Sequence, residues 1–289
     1  MGHPVGQADK VARVNDLFVE VRGLRLHLIE RGEGEPSLLL HGWLDHARSF
    51  DLLAPMLPGR TLALDFRGHG DSGWVGAGGF YHFIDYLSDV DGVLDRLGLE
   101  TVRIVGHSMG AAVGLLYAAA QPARVKHLTL IDGAPLAIQP KEIPERLVSH
   151  LSDLRSLKRE RRRVDSVDDA IRRMQRFNPA LSPRAARLLA EAGLEDLTWK
   201  WDPLLRAHSP LPVTEDAVRL IVAGVTAKVL AIRGESGFLQ DEQELRERFP
   251  SLKMDYQSIS GAGHHVHLDA PEAVAQLIQE AWAGPKVAS

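Results

Sequence analysis

The sequence predicts an α/β fold in which a mostly parallel sheet of eight strands is flanked by helices, with a helical cap inserted after the sixth strand. Short apolar segments rich in Val, Ile and Leu recur along the chain, and segments with helical periodicity separate them. The chain has 289 residues, of which 45% are hydrophobic and 25% charged. This length and composition indicate one globular domain with a substantial core and an insertion.

The predicted strands are each too short to be helices. The first two, at 17–22 and 24–31, are predicted to form a hairpin that turns at Gly23. The other six are SLLLH at 37–41, TLALDF at 61–66, TVRIVG at 101–106, HLTLID at 127–132, KVLAIRG at 228–234 and KMDYQSI at 253–259. Segments 83–97 and 271–283 place apolar residues on one side at helical spacing, which predicts helices packed on the sheet.

Residues 135–212 interrupt this alternation. The interval is Arg-rich, contains no convincing strand and has three helical patterns: IPERLVSHLSDLRSL, VDDAIRRMQRF and PRAARLLAEAGL. We therefore predict a helical cap at 135–212 and a core domain formed by 1–134 and 213–289. The run KRERRR at 158–163 could dock an anion, but a solvated helix face is the preferred interpretation.

Charge and cysteine content exclude several classes of partner and site. Thirty-four Lys and Arg against 38 Asp and Glu leave a net charge of -4, so no overall positive field exists to attract nucleic acid or an anionic membrane. The chain contains no Cys, which excludes disulfides, thiolate metal sites and thiol nucleophiles. The amino terminus lacks an apolar signal segment, and no run is long enough to span a bilayer. We expect a cytoplasmic monomer or homodimer that acts on a small molecule.

Ser108 is the predicted nucleophile. It lies at the centre of Gly106-His107-Ser108-Met109-Gly110, between a predicted strand and a small-residue helix. A sharp strand-to-helix turn strains the central serine and requires flanking glycines, because side chains there would collide. The GxSxG string alone is moderate evidence, but its position between strand and helix makes it strong.

His264 is the predicted base, because a serine hydroxyl needs a neighbouring group that accepts its proton. It closes the glycine-rich turn GAGH after the last strand. His265 and His267 are competing candidates that we expect to point elsewhere. A metal site built from these three histidines is disfavoured, because neither an HExxH pattern nor a carboxylate cluster accompanies them. No metal and no cofactor are therefore expected.

Two backbone N–H groups are predicted to form an oxyanion hole. That of Trp43 follows the strand at 37–41, and that of Met109 begins the helix behind Ser108, where the helix dipole assists. His41 and His107 are interpreted as structural residues that brace loops. The segment from Asp65 to Ser72 could be a carboxylate and histidine site, but a loop fixed by charged hydrogen bonds is the preferred interpretation.

Five motifs occur in the order typical of the α/β-hydrolase superfamily, which the chain resembles from about residue 17 to 283. They are HGW at 41–43, DFRGHGDS at 65–72, GHSMG at 106–110, LIDGAP at 130–135 and GAGH at 261–264. The longer segments HGWLDHARSFDLL, YHFIDYLSDV, WDPLLRAHSP and GHHVHLDAPE resemble the serine hydrolase-like branch. The resemblance implies the α/β-hydrolase fold. Related haloalkane dehalogenases and epoxide hydrolases use an Asp nucleophile where this chain has Ser108, so neither activity is expected.

The resemblance also implies a catalytic acid, and here the chain departs from the common pattern. Most members place the acid three residues after the glycine that ends the seventh strand, but Gly237 stands there. Asp132, at the end of the sixth strand, and Glu235, just past the seventh, remain as candidates. We favour Asp132, because a strand end is a rigid mount near the nucleophile.

The preferred function is hydrolysis of carboxylic esters of small to medium apolar molecules through an acyl-enzyme. Lactone, thioester, amide or carbon-carbon bond hydrolysis would use the same residues, and a non-catalytic ligand receptor on the same fold is an alternative from another class. Four aromatic residues are candidate walls of the substrate pocket, although each type is more often core: Trp43, Trp199, Trp201 and Phe238.

Overall fold

The computed structural model describes residues 14–210 and 213–283. Residues 1–13, 211–212 and 284–289, which belong to the predicted core and cap, lie outside the described ranges. An eight-stranded sheet forms the centre of the fold, with the order β1-β2-β4-β3-β5-β6-β9-β10. Its strands are β1 Val14–Val21, β2 Leu24–Arg31, β3 Pro36–Leu40, β4 Arg60–Leu64, β5 Val102–His107, β6 Val125–Ile131, β9 Lys228–Gly234 and β10 Met254–Ile259.

The strand pairing confirms the predicted fold class. β1 and β2 form an antiparallel hairpin, and β2 is antiparallel to β4. The remaining strands are all parallel to their neighbours, in the order β4, β3, β5, β6, β9 and β10. The hairpin turns at Arg22 and Gly23, whose φ angles are 50° and 80°. Parallel strands bring their carboxyl ends to one edge of the sheet, so the loops after β3, β5, β6 and β9 converge there.

Helices cover both faces of the sheet. The helices are α1 Asp85–Arg96, α2 Met109–Ala120, α3 Ile143–Ser156, α4 Val167–Phe177, α5 Pro183–Gly193, α6 Glu215–Val222, α7 Glu242–Arg248, α8 Val266–Asp269 and α9 Pro271–Ala283. α1, α2, α6 and α7 contribute to the core on one face, and α8 and α9 to the core on the other. Along β3, Leu38 and Leu40 belong to the first core and Leu39 to the second. This alternation explains why the strand is apolar throughout.

The interval between β6 and α6 contains α3, α4 and α5 and, contrary to the sequence prediction, two strands. β7 Leu194–Glu195 and β8 Thr198–Trp199 pair antiparallel through a turn at Asp196 and Leu197. Both turn residues have positive φ, 50° and 60°, which is unusual for Leu. Strands of two residues joined by such a turn leave no periodic pattern in a sequence. The domain boundaries at 135–212 remain a prediction.

The basic run at 158–163 is not the helix face that the sequence suggested, because α3 ends at Ser156. Its residues are exposed, but two of them bind acids: Arg159 pairs with the buried Asp202, and Arg161 lies 2.8 Å from Glu195. The Tyr81 hydroxyl donates to the same Asp202 carboxylate at 2.8 Å. The Tyr81 contact ties the interval after β6 to the loop after β4. No helix in the described ranges is long and apolar enough to cross a lipid bilayer.

A buried ion pair between β2 and the loop after β4 should make stability depend on pH. The His27 ring lies 2.7 Å from Asp65 Oδ2 through Nδ1 and 3.0 Å from Asp16 Oδ1 through Nε2. Burial alone would lower the pKa of His27, but hydrogen bonds and charge from these carboxylates raise it above its ordinary value of 6.5. The pair therefore stabilises the fold fully below pH 6.5, and the contribution is lost as the pH rises through the raised pKa.

We expect the free energy of unfolding in urea to decrease between pH 6 and pH 9, and His27→Gln to flatten this decrease. The control is His208→Gln, because His208 is an exposed histidine paired with Asp153 at 2.7 Å. A His27→Gln variant with the same pH dependence as the parent protein would contradict the assignment.

Candidate active site

Ser108 occupies a strained turn between β5 and α2. Its φ of 51° lies in the left-handed region that favours glycine, and its ψ is -114°. The Ser108 N–H donates to Ile131 O of β6 at 2.9 Å, which holds the turn against the neighbouring strand. The flanking glycines are required sterically. A Cβ at Gly106 would lie 2.4 Å from Gly110 O, and a Cβ at Gly110 would lie 2.0 Å from Leu40 O.

His264 and Asp132 form a short, buried contact at the same edge of the sheet. His264 Nδ1 lies 2.6 Å from Asp132 Oδ2. Asp132, at φ 45° immediately after β6, is 1% exposed. The Phe238 N–H donates to Oδ2 of this carboxylate at 2.7 Å, and the Gly234 and Leu239 N–H groups donate to Oδ1 at 3.3 Å each. These donors fix the carboxylate that faces the imidazole.

The residue after Asp132 connects this pair to Ser108. A Cβ at Gly133 would lie 2.3 Å from Ser108 O and 2.5 Å from Ser108 Cα, so the two backbones touch. His107, which precedes Ser108, faces the His264 loop: its Nε2 lies 3.0 Å from His264 O, and the two rings are 4.7 Å apart. The serine, the imidazole and the carboxylate therefore belong to one packed cluster.

Glu235, the other candidate acid, makes a hydrogen bond elsewhere. Its Oε2 accepts the Gly261 N–H at 2.8 Å, and the side chain is exposed. It braces the loop that leads to His264, whereas the imidazole itself is paired with Asp132. Of the two candidates, the structure brings Asp132 to His264.

The loop at 41–43 packs directly against Ser108. A Cβ at Gly42 would lie 3.4 Å from Ser108 Cβ and 3.1 Å from His107 Nδ1. The Trp43 indole donates to Leu205 O at 3.1 Å, and none of the hydrogen bonds in the described ranges uses the Trp43 backbone N–H. Met109 is the first residue of α2, where the backbone N–H has no partner within the helix. The Met109 N–H thus follows Ser108 directly in the chain, and the Trp43 N–H belongs to the loop that packs against Ser108.

The four aromatic candidates separate into two groups. The Phe238 ring lies 4.3 Å from the His264 ring and is 71% exposed, and Trp43 is 53% exposed. Trp199 and Trp201 instead stack on each other at 6.3 Å and line a small cavity beside Leu44. Trp201 is largely buried in a core cluster. Sequence reasoning missed the other walls of this cavity, which include Asp45, His46, Met174 and Leu189.

The remaining polar motifs brace the backbone, in agreement with the sequence analysis. His41 lies 2.7 Å from Gly42 O through Nδ1, and its Nε2 accepts the Phe66 N–H at 3.1 Å. Burial lowers the pKa of His41. Asp65 accepts the N–H groups of Ala47 and Asp71 at 2.6 Å and 2.9 Å, which fixes the loop after β4.

A buried carboxylate and imidazole pair beside a strained serine is the side-chain arrangement of a serine hydrolase. The model of the alpha/beta hydrolase family matches residues 38–277, and the chain belongs to this family. A serine hydrolase-like protein of Danio rerio is 28% identical over 267 residues, which cover 86% of this chain and 81% of that relative.

Solved structures agree with this assignment. A hypothetical protein of Pseudomonas aeruginosa PAO1 is 34% identical, with a TM-score of 0.86 and coverage of 93% of this chain and 99% of that chain. The thioesterase domain of the curacin biosynthetic pathway is 25% identical, with a TM-score of 0.80 and coverage of 93% and 100%. The predicted family, its serine hydrolase-like branch and the fold are thereby confirmed, and the relationships support a hydrolase.

Proposed function

We propose that the protein hydrolyses carboxylic esters of small to medium apolar molecules through an acyl-enzyme formed on Ser108. The observation that supports this proposal most strongly is the 2.6 Å contact between His264 Nδ1 and the buried Asp132 carboxylate. A carboxylate only accepts hydrogen bonds, so it holds the imidazole with its proton on Nδ1. The lone pair of Nε2 is then available to a serine hydroxyl.

In the proposed reaction, Ser108 Oγ attacks the ester carbonyl carbon while His264 Nε2 takes the hydroxyl proton. The negative charge that develops on the carbonyl oxygen is stabilised by the backbone N–H groups of Trp43 and Met109. His264 then gives the proton to the departing alcohol. Water, deprotonated by His264 in the second half-reaction, releases the acid and regenerates Ser108.

Thioester hydrolysis is the second candidate. It follows the same two half-reactions with a thiol as the leaving group, and the structural similarity to a thioesterase domain over 93% of the chain favours it over the lactone, amide and carbon-carbon alternatives. Comparing an ester and a thioester of the same acyl group separates the two: a higher kcat/KM for the thioester would reassign the substrate class.

The exposed ring of Phe238 beside His264 predicts a preference for apolar acyl groups. Each buried methylene contributes about 0.8 kcal/mol, so kcat/KM for p-nitrophenyl esters should rise roughly fourfold per methylene from acetate to hexanoate. Phe238→Ala should flatten this rise. Leu220→Ala is the control, because Leu220 is a similarly exposed apolar residue, 79% exposed on α6. Equal rates for all chain lengths would contradict the apolar assignment, and no turnover of any ester would contradict the function itself.

A further inference from the structure

Behind the candidate active site, three buried side chains meet with no residue of the proposed reaction among them. Asp45, His107 and His267 are 8%, 1% and 0% exposed. One oxygen or nitrogen of each lies within 4.8 Å of the others, and Asp45 Oδ2 is 3.9 Å from His107 Nδ1. The rings of His107 and His267 are 4.4 Å apart.

The atoms that converge here are unpartnered within the described ranges. Asp45 Oδ2, His107 Nδ1 and both ring nitrogens of His267 are buried and make no hydrogen bond to another described group. Buried polar atoms in folded proteins almost always have a partner, and unpartnered ones point to an ion, a ligand or water. Four such atoms in one cluster therefore indicate an occupant.

The hydrogen bonds around the cluster define what the occupant must supply. His107 Nε2 lies 3.0 Å from His264 O, which can only accept, so the His107 proton is on Nε2 and its Nδ1 carries a lone pair. The occupant must therefore bind the lone pair of His107 Nδ1.

Asp45 adds a carboxylate to the imidazoles of His107 and His267. Its Oδ1 accepts the His46 N–H at 2.8 Å, which leaves Oδ2 directed at His107 Nδ1. Two lone pairs thus face each other at 3.9 Å, and a cation between them resolves the conflict.

We propose that Asp45, His107 and His267 bind a divalent transition metal ion of the zinc class. Two imidazoles and one carboxylate are a donor set that zinc uses in proteins. Bonds of about 2.0–2.2 Å require ligand atoms roughly 3.3 Å apart. The Asp45 and His107 side chains, whose ligand atoms are 3.9 Å apart, must therefore approach by roughly 0.6 Å, and His267, whose ligand atom lies within 4.8 Å of theirs, by at most about 1.5 Å. The metal would hold the His107 ring, whose opposite nitrogen donates to the backbone of His264, and would thereby fix the loop that carries the proposed base.

This site differs from the cluster of His264, His265 and His267 that the sequence analysis disfavoured as a metal site. His264 is paired with Asp132, and His265 Nδ1 lies 3.1 Å from Asn178 Nδ2. Only His267, in α8, remains from that trio. The other two proposed ligands are Asp45, in the loop after β3, and His107, the last residue of β5.

Elemental mass spectrometry of tag-free protein tests the proposal without any assay of activity. We expect about one equivalent of zinc per chain, loss of the metal on dialysis against a chelator, and a rise in Tm when zinc is returned. Asp45→Asn and His267→Gln should each abolish both the bound equivalent and the rise in Tm. Asp71→Asn is the control, because Asp71 belongs to a second group of candidate ligands, with His27 and Asp65.

The outcomes are distinct. Retention of metal by Asp71→Asn together with its loss in the other two variants supports the proposal. If the ligand variants do not fold, Co²⁺ added to the chelated parent protein should give the visible absorption of a coordinated ion. Absence of metal above the buffer background, with no change in Tm and no such absorption, would overturn the proposal and leave a cluster bridged by water.

Discussion

Ser108→Ala is expected to reduce kcat for ester hydrolysis by about 10⁵- to 10⁶-fold while leaving Tm nearly unchanged. The substitution removes the only atom that forms the proposed acyl bond. It keeps the Cβ and the backbone hydrogen bond to Ile131 O, so the turn between β5 and α2 is retained. The measurement is turnover of p-nitrophenyl butyrate together with labelling by a fluorophosphonate, which reacts with activated serines.

The matched control is Ser251→Ala, because Ser251 is exposed in the turn before β10. The control should label and turn over like the parent protein. Labelling that persists in Ser108→Ala would assign the reactive group to another residue. A parent protein that neither labels nor hydrolyses any ester would favour the ligand receptor over the enzyme.

Asp132→Asn is expected to reduce kcat by about 10⁴-fold, the size of effect seen when a triad carboxylate becomes an amide. The amide can present N–H to His264 Nδ1 and so favour the tautomer whose Nε2 carries the proton. That imidazole no longer accepts a proton from Ser108. Because the Asp132 carboxylate also binds the Phe238 N–H at 2.7 Å, Tm of the variant must be measured with its activity.

Glu235→Gln is the matched comparison, because Glu235 also follows a strand of the sheet but binds the Gly261 N–H. We expect its kcat to stay within about threefold of the parent value, since the amide oxygen still accepts that hydrogen bond. A greater loss of kcat in Glu235→Gln than in Asp132→Asn would reverse the assignment of the acid.

The sheet could be predicted from the sequence because each of its strands is an apolar run bounded by loops. β5 and β6 begin or end within two residues of the predicted segments. The two strands of the β7 and β8 hairpin could not be predicted, since two residues carry no periodicity. The interpretation of the basic run at 158–163 as a helix face was wrong, because Lys and Arg are favourable in helices and give no signal that the helix has ended.

The proposed nucleophile and base could be located from local patterns, whereas the proposed acid could not. Ser108 and His264 each lie in a short motif that follows a strand, and this position is what suggested the proposed roles. Asp132 and Glu235 both follow strands, and only the tertiary contact at 2.6 Å distinguishes them. The cluster of Asp45, His107 and His267 could not be predicted for the same reason. Its members lie in the loop after β3, at the end of β5 and in α8, which only the folded chain brings together.

Mass spectrometry of the protein quenched during turnover of p-nitrophenyl butyrate tests the central claim most directly. The account predicts a butyryl adduct on the peptide that contains Ser108, and its absence in Ser108→Ala. Turnover that proceeds with the adduct on a different peptide, or with no covalent adduct under conditions where the second half-reaction is slowed, would contradict it.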